Sequence, residues 1–398
     1  MLFPHQYPLA TRGPIVLWGL LASSPFGGMT WQVLHHLAGI RRLGFDVWYV
    51  EDSDRPVYHP TTYWPTFECE ANVAYLARHM HSLGLDDRWI FRAPGVSNRC
   101  CGARDLAGLH RLYRDADAVF NLCGAQELRP EHRDARCLVY LETDPVANQV
   151  GVATGHLPTI EALAAHDYLF TYGENFGAPD CRVPVERFQW LPTRPPVCVD
   201  WWATSAPPAV DAPLTTVANW KHTGKDIVWQ GETYYWSKHL EFQHYLNLPS
   251  SSALPLELAI GGVSDDERAD MRRHGWRIVS SVNLAEPGAY REYIRASRGE
   301  FTVAKDQNIR LRSGWFSDRS ASYLASGRPV ITQDTGFGNI LPTGAGLFSF
   351  TTADEALAAI ARVAHDYARQ STAARDMAHA YFAAEHVLGD VFRRVGLL

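Results

Sequence analysis

The sequence predicts an α/β protein with two doubly wound domains that face each other across a cleft. In both halves of the chain, apolar runs of strand length alternate with stretches whose apolar residues recur at three- and four-residue steps. A proline-rich segment separates the two halves, and 398 residues are more than one ordinary core holds. Strands that are apolar throughout are typical of parallel sheets, because helices cover both faces of such a sheet.

The first domain, residues 1–195, opens with a strand predicted over 14–21, a helix over 29–44 and a strand over 46–52. A strand–helix–strand unit implies parallel strands joined by a right-handed crossover. The predicted strands end in polar residues or glycine, and the carboxyl ends of parallel strands are where α/β proteins bind ligands. Further elements are predicted as a helix over 71–84 and strands over 117–124, 136–144 and 167–175.

The linker is predicted over 196–213, within a proline-rich segment (191–213) where regular structure is not expected. The second domain, residues 214–378, repeats the alternation of strands and helices, and its segment 231–247 is predicted to be helical. Residues 379–398 are predicted to form a C-terminal helix. The strands of this domain are predicted over 214–220, 256–262, 276–281, 300–305, 329–334 and 347–350.

Composition and missing motifs disfavour several classes of protein. The formal net charge is −6, whereas general nucleic-acid binders carry a basic surplus. The patterns GxGxxG, GxxxxGK(S/T), GxSxG and HExxH are absent from the expected places. The seven cysteines form no CxxC pair, and no apolar run is as long as a membrane span. We therefore expect a protein of the reducing cytoplasm that has no bound cofactor, metal ion or transmembrane segment.

Aromatic residues are abundant, with thirteen tryptophans and seventeen tyrosines. They are typical of large aromatic cores. They also suit a site for flat or ring-shaped ligands, where rigid amphipathic surface is useful. Both interpretations stay open at this point.

A cluster of cations surrounds one predicted helix start in the second domain. Lys305 ends a strand, and Ser317 is a candidate N-cap for the helix that follows. The free N–H groups and the positive dipole end of a helix start bind anions, above all phosphates. The pattern predicts a diphosphate site; the alternative is a solvated basic loop paired with Asp306 and Asp318. The other cations are Arg310, Arg312 and Arg319.

The same helix is followed by Leu324–Ile331, which reads LASGRPVI, and then by Asp334, Thr335 and Gly336. This order of residues and elements resembles the donor-binding region of GT-B glycosyltransferases with a group-1-like C-terminal domain. The resemblance implies two Rossmann-like domains, a nucleoside-diphosphate sugar bound by the second domain, and a last helix that returns to the first. It also implies that Asp334–Gly336 approach the donor sugar.

The resemblance implies a set of donor-site residues. Lys305 and Arg312 would neutralise charge as the donor bond breaks. Lys221 and Lys225, which follow the first strand of the second domain, either bind phosphate or lie on the surface of a turn. The implied donor-site residues are Lys221, Lys225, Lys305, Arg310, Arg312, Ser317, Asp318, Arg319, Ser322, Asp334, Thr335 and Gly336.

One departure from the family concerns the mechanism. Retaining members commonly carry two glutamates eight positions apart, and here those positions hold Gly314 and Ser322. An inverting transferase needs a general base instead, which we expect from the first domain. Asp144 is the first candidate because it stands just beyond a buried strand; its alternative role is to cap the helix after Pro145. The other candidates are Glu142, Glu174 and His156.

The sequence thus predicts a metal-independent glycosyltransferase that moves a sugar from a nucleoside-diphosphate sugar to an unidentified acceptor. Gly27 and Gly28 either let the first loop approach the acceptor or simply form a turn. Two other functions stay open. One is a sugar-nucleotide epimerase or hydrolase on the same scaffold. The other is an inactive nucleotide-sugar-binding protein, because the two glutamates are missing.

Overall fold

A computed structural model describes residues 10–95, 99–204, 206–222 and 224–398. The described residues of the first half form an eight-stranded sheet and a small hairpin, β3–β4. The strands are β1 (Arg12–Trp18), β2 (Phe45–Glu51), β3 (Val57–Tyr58), β4 (Pro65–Thr66), β5 (Trp89–Arg92), β6 (Cys100–Gly102), β7 (Ala118–Leu122), β8 (Leu138–Glu142), β9 (Tyr168–Thr171) and β10 (Trp190–Pro192).

Strand order in this sheet is β10-β9-β8-β7-β1-β2-β5-β6. Neighbouring strands are parallel, except that β6 runs antiparallel to β5 at the edge. The apolar run of β1 is fully buried, as a doubly wound sheet requires. Its helices are α1 (Gly27–Arg42), α2 (Glu70–Ser82), α3 (Leu106–Asp115), α4 (Ala147–Ala153), α5 (Leu157–Ala164) and α6 (Val199–Trp202).

The second half forms a six-stranded parallel sheet with the order β15-β14-β11-β16-β17-β18 and a hairpin, β12–β13. Its strands are β11 (Leu214–Asn219), β12 (Ile227–Trp229), β13 (Glu232–Tyr234), β14 (Leu256–Gly261), β15 (Arg277–Ser280), β16 (Gly299–Thr302), β17 (Val330–Gln333) and β18 (Leu347–Phe350). Its helices are α7 (His239–Gln243), α8 (Asp265–Arg273), α9 (Pro287–Ala296), α10 (Asp306–Arg310), α11 (Asp318–Ala325), α12 (Ala353–His365), α13 (Tyr367–Met377) and α14 (Ala384–Arg394).

The two doubly wound domains predicted from the sequence are confirmed. The last helix, α14, lies on the first domain, where the buried ring of Phe392 stacks on Phe120 at 5.0 Å and lies 4.8 Å from Phe45. Within the described residues, no helix combines the length and apolarity that crossing a bilayer requires.

Three local predictions were wrong. Residues 231–247 form strand β13 and the short helix α7 instead of one helix, because Glu232–Tyr234 pair with β12 as a hairpin. The proline-rich segment 191–213 contains part of β10 and the helix α6, whose Trp201 and Trp202 are buried. Ser317 stands at the N-cap position of α11, but its hydroxyl does not cap the helix; it lies 3.4 Å from Oδ1 of Asp318.

Candidate donor site between the domains

The carboxyl ends of the two sheets meet across the cleft. The loop after β1 leads into α1, and a side chain on Gly27 would meet the carbonyl oxygen of Leu284 at 2.5 Å. Gly28 faces the ring of Tyr290 on α9, whose hydroxyl would lie 3.6 Å from an added Cβ. Glycine is therefore needed at position 27 for the first domain to approach the second.

An ion pair joins the two domains at the centre of this boundary. Lys305, which follows β16, places its Nζ 2.6 Å from both carboxylate oxygens of Asp144, which follows β8. Asp144 does not cap α4, because the N-cap residue of that helix is Val146. Burial lowers the pKa of Lys305, and the Asp144 carboxylate opposes this effect. The Nζ atom also lies 3.2 Å from the ring centroid of Trp236, a cation–π contact.

Lys238 is a cation of the cleft without a partner. Among the described residues, neither a hydrogen bond nor an ion pair is formed by its ammonium, which lies 5.5 Å from the ring centroid of Trp315. Burial lowers the pKa of Lys238 well below its usual value and repulsion from Arg319 and Lys305 lowers it further, whereas the carboxylates of Glu300 and Asp144, which form no ion pair with it, oppose this effect. A desolvated ammonium beside other cations is stabilised by an anion, so this geometry favours an anionic ligand.

Lys225 completes the cationic group. Its Nζ lies 4.7 Å from the ring centroid of Trp236, the ring that Lys305 also contacts. The chain has only four lysines, and three of them, Lys225, Lys238 and Lys305, are gathered here by the second domain. We call these three residues the lysine cluster.

The start of α11 borders the lysine cluster and holds a buried acid. Asp318 accepts a hydrogen bond from the backbone N–H of Arg319 at 2.8 Å, and burial raises the pKa of its carboxyl group. Its other oxygen lies 3.5 Å from Nε2 of Gln32 on α1. The hydroxyl of Ser322 donates to the backbone carbonyl of Asp318 one turn earlier. Asp318 and Ser322 therefore lie at the cleft between the two domains.

Arg319 faces the sheet. Its Nε donates to Glu300 at 2.5 Å, and its other nitrogens donate to the Val217 carbonyl and the Thr302 hydroxyl. The Glu300 carboxylate is fully buried, so this ion pair fixes α11 on β16. Arg319 therefore adds its positive charge to the cleft, while its hydrogen bonds hold α11 on the sheet.

Arg312 and Asp334 hold the predicted sugar-facing loop. Arg312 has a left-handed backbone (φ +51°) and donates to Asp180 at 2.6 Å and to Asp334 at 3.0 Å. The other oxygen of Asp334 accepts from the N–H of Gly336 at 2.9 Å. The Thr335 hydroxyl donates to the Trp315 carbonyl at 2.7 Å. This loop is therefore pre-shaped by its own hydrogen bonds.

A loop of the first domain, residues 172–189 between β9 and β10, inserts beside it, and we call it the Asn175 loop. Asn175 is buried, donates its backbone N–H to Ser313, and bonds through its side chain to Arg312 and Asn339. A Cβ built on Gly314, whose φ is +81°, would overlap the backbone of Asn175. Position 314 is one of the two where retaining enzymes of the family carry glutamate. The Asn175 loop leaves no room there for any side chain.

The remaining first-domain candidates differ in accessibility. Glu142 is buried and accepts from Asn148, Gln149 and Thr171; burial raises its pKa to about 7. Glu174 is held by Arg194 at 2.6 Å. His156 is exposed at the start of α5, with Nδ1 2.8 Å from the Thr159 hydroxyl. Asp144 is the candidate of this set that directly meets the second domain's cations.

Two cations that were predicted for the donor site, Arg310 and Lys221, lie outside the lysine cluster. Arg310 is half exposed and pairs with Glu232 and Asp306, which is the solvated arrangement that we gave as the alternative. Lys221 is 50% exposed and pairs with Glu267 at 2.7 Å, and this contact helps to lower the pKa of that carboxyl group to about 2. In the described part of the chain, no cluster of three or more His, Cys, Asp or Glu side chains is arranged to hold a metal ion.

Sequence reasoning missed Lys238 and Asn175. Lys238 was hidden by the wrong helix prediction over 231–247. The scarcity of lysine was a usable signal, since the chain has four lysines and all of them lie in the second domain. Asn175 gave no signal, because its role depends on a contact between residues far apart in sequence.

Comparison with solved structures identifies proteins that share this fold. Anabaena Alr3699/HepE, solved with UDP and glucose, has 12% sequence identity and a TM-score of 0.57, over 97% of this chain and 100% of that one. An α-glucosyltransferase solved with UDP and a DNA 13-mer has 9% identity and a TM-score of 0.57, over 96% and 99%. AviGT4, a glycosyltransferase of avilamycin A biosynthesis, has 12% identity and a TM-score of 0.51, over 96% and 98%.

The predicted GT-B fold is thereby confirmed over nearly the whole chain. No protein-family model matches the sequence, and no curated protein matches it either.

Proposed function

We propose that the chain transfers a sugar from a nucleoside-diphosphate sugar to an acceptor held by the first domain. The observation that carries the proposal is the lysine cluster, above all the unpartnered ammonium of Lys238, at the carboxyl ends of the second sheet. Open α/β sheets bind ligands at this edge. HepE was solved with UDP or UDP-glucose and the α-glucosyltransferase with UDP, so uridine diphosphate is the first nucleotide to test.

The chemistry that we assign to the site is nucleophilic displacement at the anomeric carbon. The bond from the sugar to the β-phosphate breaks, the acceptor oxygen forms the new glycosidic bond, and the nucleoside diphosphate leaves. Negative charge grows on the leaving diphosphate, and fixed cations stabilise that charge in the transition state. We assign this task to Lys238 and Lys305.

Asp144 is the proposed general base. Its carboxylate pairs with Lys305 now, is 39% exposed, and stands at the boundary where the acceptor would meet the donor. When the donor diphosphate pairs with Lys305, the carboxylate becomes free to accept the proton of the acceptor hydroxyl. We propose an inverting reaction, because the Asn175 loop fills the space beside Gly314, where retaining relatives carry an acid.

The test is UDP release from UDP-glucose, measured with and without candidate acceptors. We expect release that depends on an acceptor and falls at least about 100-fold in Asp144→Asn, the usual scale for loss of a general base. Release without any acceptor would favour a hydrolase or epimerase instead. Tight UDP binding without turnover of UDP-glucose would favour the inactive binding protein, for which the filled position at Gly314 is the specific observation.

A further inference from the structure

A strip of aromatic side chains on the first domain has no role in the site described above. We call Phe26, Tyr58, Tyr63, Trp64 and Phe67 the aromatic strip. Trp64 is 76% exposed, Phe67 58% and Tyr58 41%, whereas the other twelve tryptophans are buried or half-buried. Exposed apolar rings that are grouped together indicate a binding surface, whereas singly scattered ones do not.

The aromatic strip is held in a defined shape. The N–H of Tyr63 donates to the His59 carbonyl at 2.8 Å, and that of His59 donates to the Trp64 carbonyl at 3.0 Å. Tyr58 is tied to the loop after β1 through the Ser23 carbonyl at 2.9 Å. Tyr63 has a left-handed backbone, with φ at +59°, which is uncommon for an aromatic residue. Such pre-shaped rings bind with little loss of conformational freedom.

The aromatic strip begins at the cleft. Phe26 is the N-cap residue of α1 and directly precedes Gly27 and Gly28, which face the second domain. Its ring stacks on Tyr63 at 5.7 Å and lies 5.8 Å from Tyr58. Burial raises the pKa of the Tyr63 hydroxyl, and the carboxylate of Glu286 from the second domain raises it further. The strip therefore runs outward from the place where the two domains meet.

Charge near the strip disfavours an anionic ligand. Between residues 52 and 70 the exposed side chains include three carboxylates, Asp54, Glu68 and Glu70, and one arginine, Arg55, whereas Asp52 is buried and paired with Arg129 and His132. The neighbouring arginines are already paired: Arg55 with Glu127, Arg78 with Glu286, and Arg99 with Glu70. A nucleic acid or a phosphorylated lipid needs free cations for its phosphates, and this surface offers paired ones.

We propose that the aromatic strip binds the sugar acceptor, and that this acceptor is an uncharged molecule with a ring face. The inference rests on the proposed glycosyltransferase function and names its second substrate by class. Planar rings and the apolar faces of sugars stack on Trp64 and Phe67, and the far end of the acceptor reaches the cleft past Phe26. The strip thereby selects the acceptor by shape and lack of charge.

The experiment is a saturation-transfer NMR titration of the full chain with phenyl β-glucoside and naphthyl β-glucoside. We expect saturation transfer to the aromatic rings of the probes, and at least a fivefold rise in Kd in the double variant Trp64→Ala/Phe67→Ala. Val210, which is 88% exposed in the linker, supplies the control, and Val210→Ala should leave Kd unchanged. UDP binding, measured by calorimetry on the same samples, should be equal in all three proteins.

Two results would overturn the inference. One is absence of probe binding, or equal probe affinity in the wild type and the double variant, while UDP still binds. The other is Trp64-dependent binding of a DNA 13-mer or of phosphatidylglycerol vesicles, because either ligand is polyanionic. Failure of UDP to bind the wild type would instead count against the proposed function, so the two failures are distinguishable.

Discussion

Lys238 is the residue that most strongly favours an anionic substrate. Its ammonium is desolvated, lies beside Lys305 and Arg319, and has no acceptor among the described residues. Such a group destabilises the folded chain unless it meets a negative charge. Arg319 has similar burial but is satisfied by Glu300. The difference between these two cations separates a binding residue from a structural one.

Replacing Lys238 by methionine should weaken UDP binding and leave the fold intact. A hydrogen bond to a charged group contributes about 1.5–3 kcal/mol, so Kd should rise about tenfold or more. The unfolding temperature of the unliganded variant should equal or exceed that of the wild type. Arg273→Ala, which removes an exposed cation of the same domain, is the control for net charge. Isothermal titration calorimetry that gives equal Kd for wild type and Lys238→Met contradicts the assignment.

Glu142 should make stability depend on pH. Its pKa is raised from 4.5 to about 7 by burial, so between these values the folded state keeps a proton that the unfolded state has released. Its contribution to folding therefore falls as the pH rises through that window. We expect the stability of the wild type relative to Glu142→Gln to decrease between pH 4.5 and about pH 7. Urea unfolding across this range measures the difference; a constant difference would show that Glu142 does not titrate there.

At the scale of elements, the Asn175 loop connects the two domains through hydrogen bonds and an ion pair. It bonds to the segment around Arg312, and Asp180 from the same loop pairs with the Arg312 guanidinium. Gly314 makes this contact feasible through its left-handed backbone and its missing side chain. The departure of position 314 from the family pattern thus has a steric cause in this chain.

Gly314→Ala should weaken the contact between the Asn175 loop and the second domain. The new Cβ overlaps the backbone of Asn175, and φ at +81° is strained for alanine, so we expect a loss of about 1–3 kcal/mol in the free energy of unfolding. Gly288→Ala is the matched control, because a Cβ at that helical position meets nothing within 4 Å. It should be neutral or slightly stabilising. Chemical denaturation compares the two; equal effects would mean that the contact with Asn175 carries no energy.

The elements that the sequence predicted well are those that bury apolar runs. The strand expected over 46–52 is observed at Phe45–Glu51, because a short run that is apolar throughout suits a strand with helices on both faces of its sheet. The helix prediction over 231–247 failed because Thr233 and Tyr234 suit a strand as well as a helix, and these residues pair with β12. Lys238 was not predicted as a site residue, because the charged groups around it come from parts of the chain that are far apart in sequence.

At the scale of the molecule, the end of the chain stabilises its beginning. Helix α14 follows the second domain but packs on α1 and on the first sheet, where Phe392 lies between Phe45 and Phe120. The arginine at the other side of this helix, Arg393, is 61% exposed. The two domains therefore share hydrophobic core as well as the Lys305–Asp144 pair.

Phe392→Ala should destabilise the whole chain. Truncation of a fully buried phenylalanine costs about 3–5 kcal/mol, and this ring joins the last helix to the first domain. Arg393→Ala should change stability by less than about 0.5 kcal/mol. Calorimetry reports both values. A small effect of Phe392→Ala would mean that α14 is dispensable for the first domain.

A nucleoside diphosphate should bind between the domains at the lysine cluster. A thermal-shift screen of the full chain with UDP, GDP, ADP, CDP and TDP tests it most directly. Ligand at about 100 times its Kd adds about 2.7 kcal/mol, so we expect one of the five to raise the unfolding temperature by about 3 °C or more. The same nucleotide should give a much smaller shift with Lys238→Met. No shift with any of the five would contradict the account.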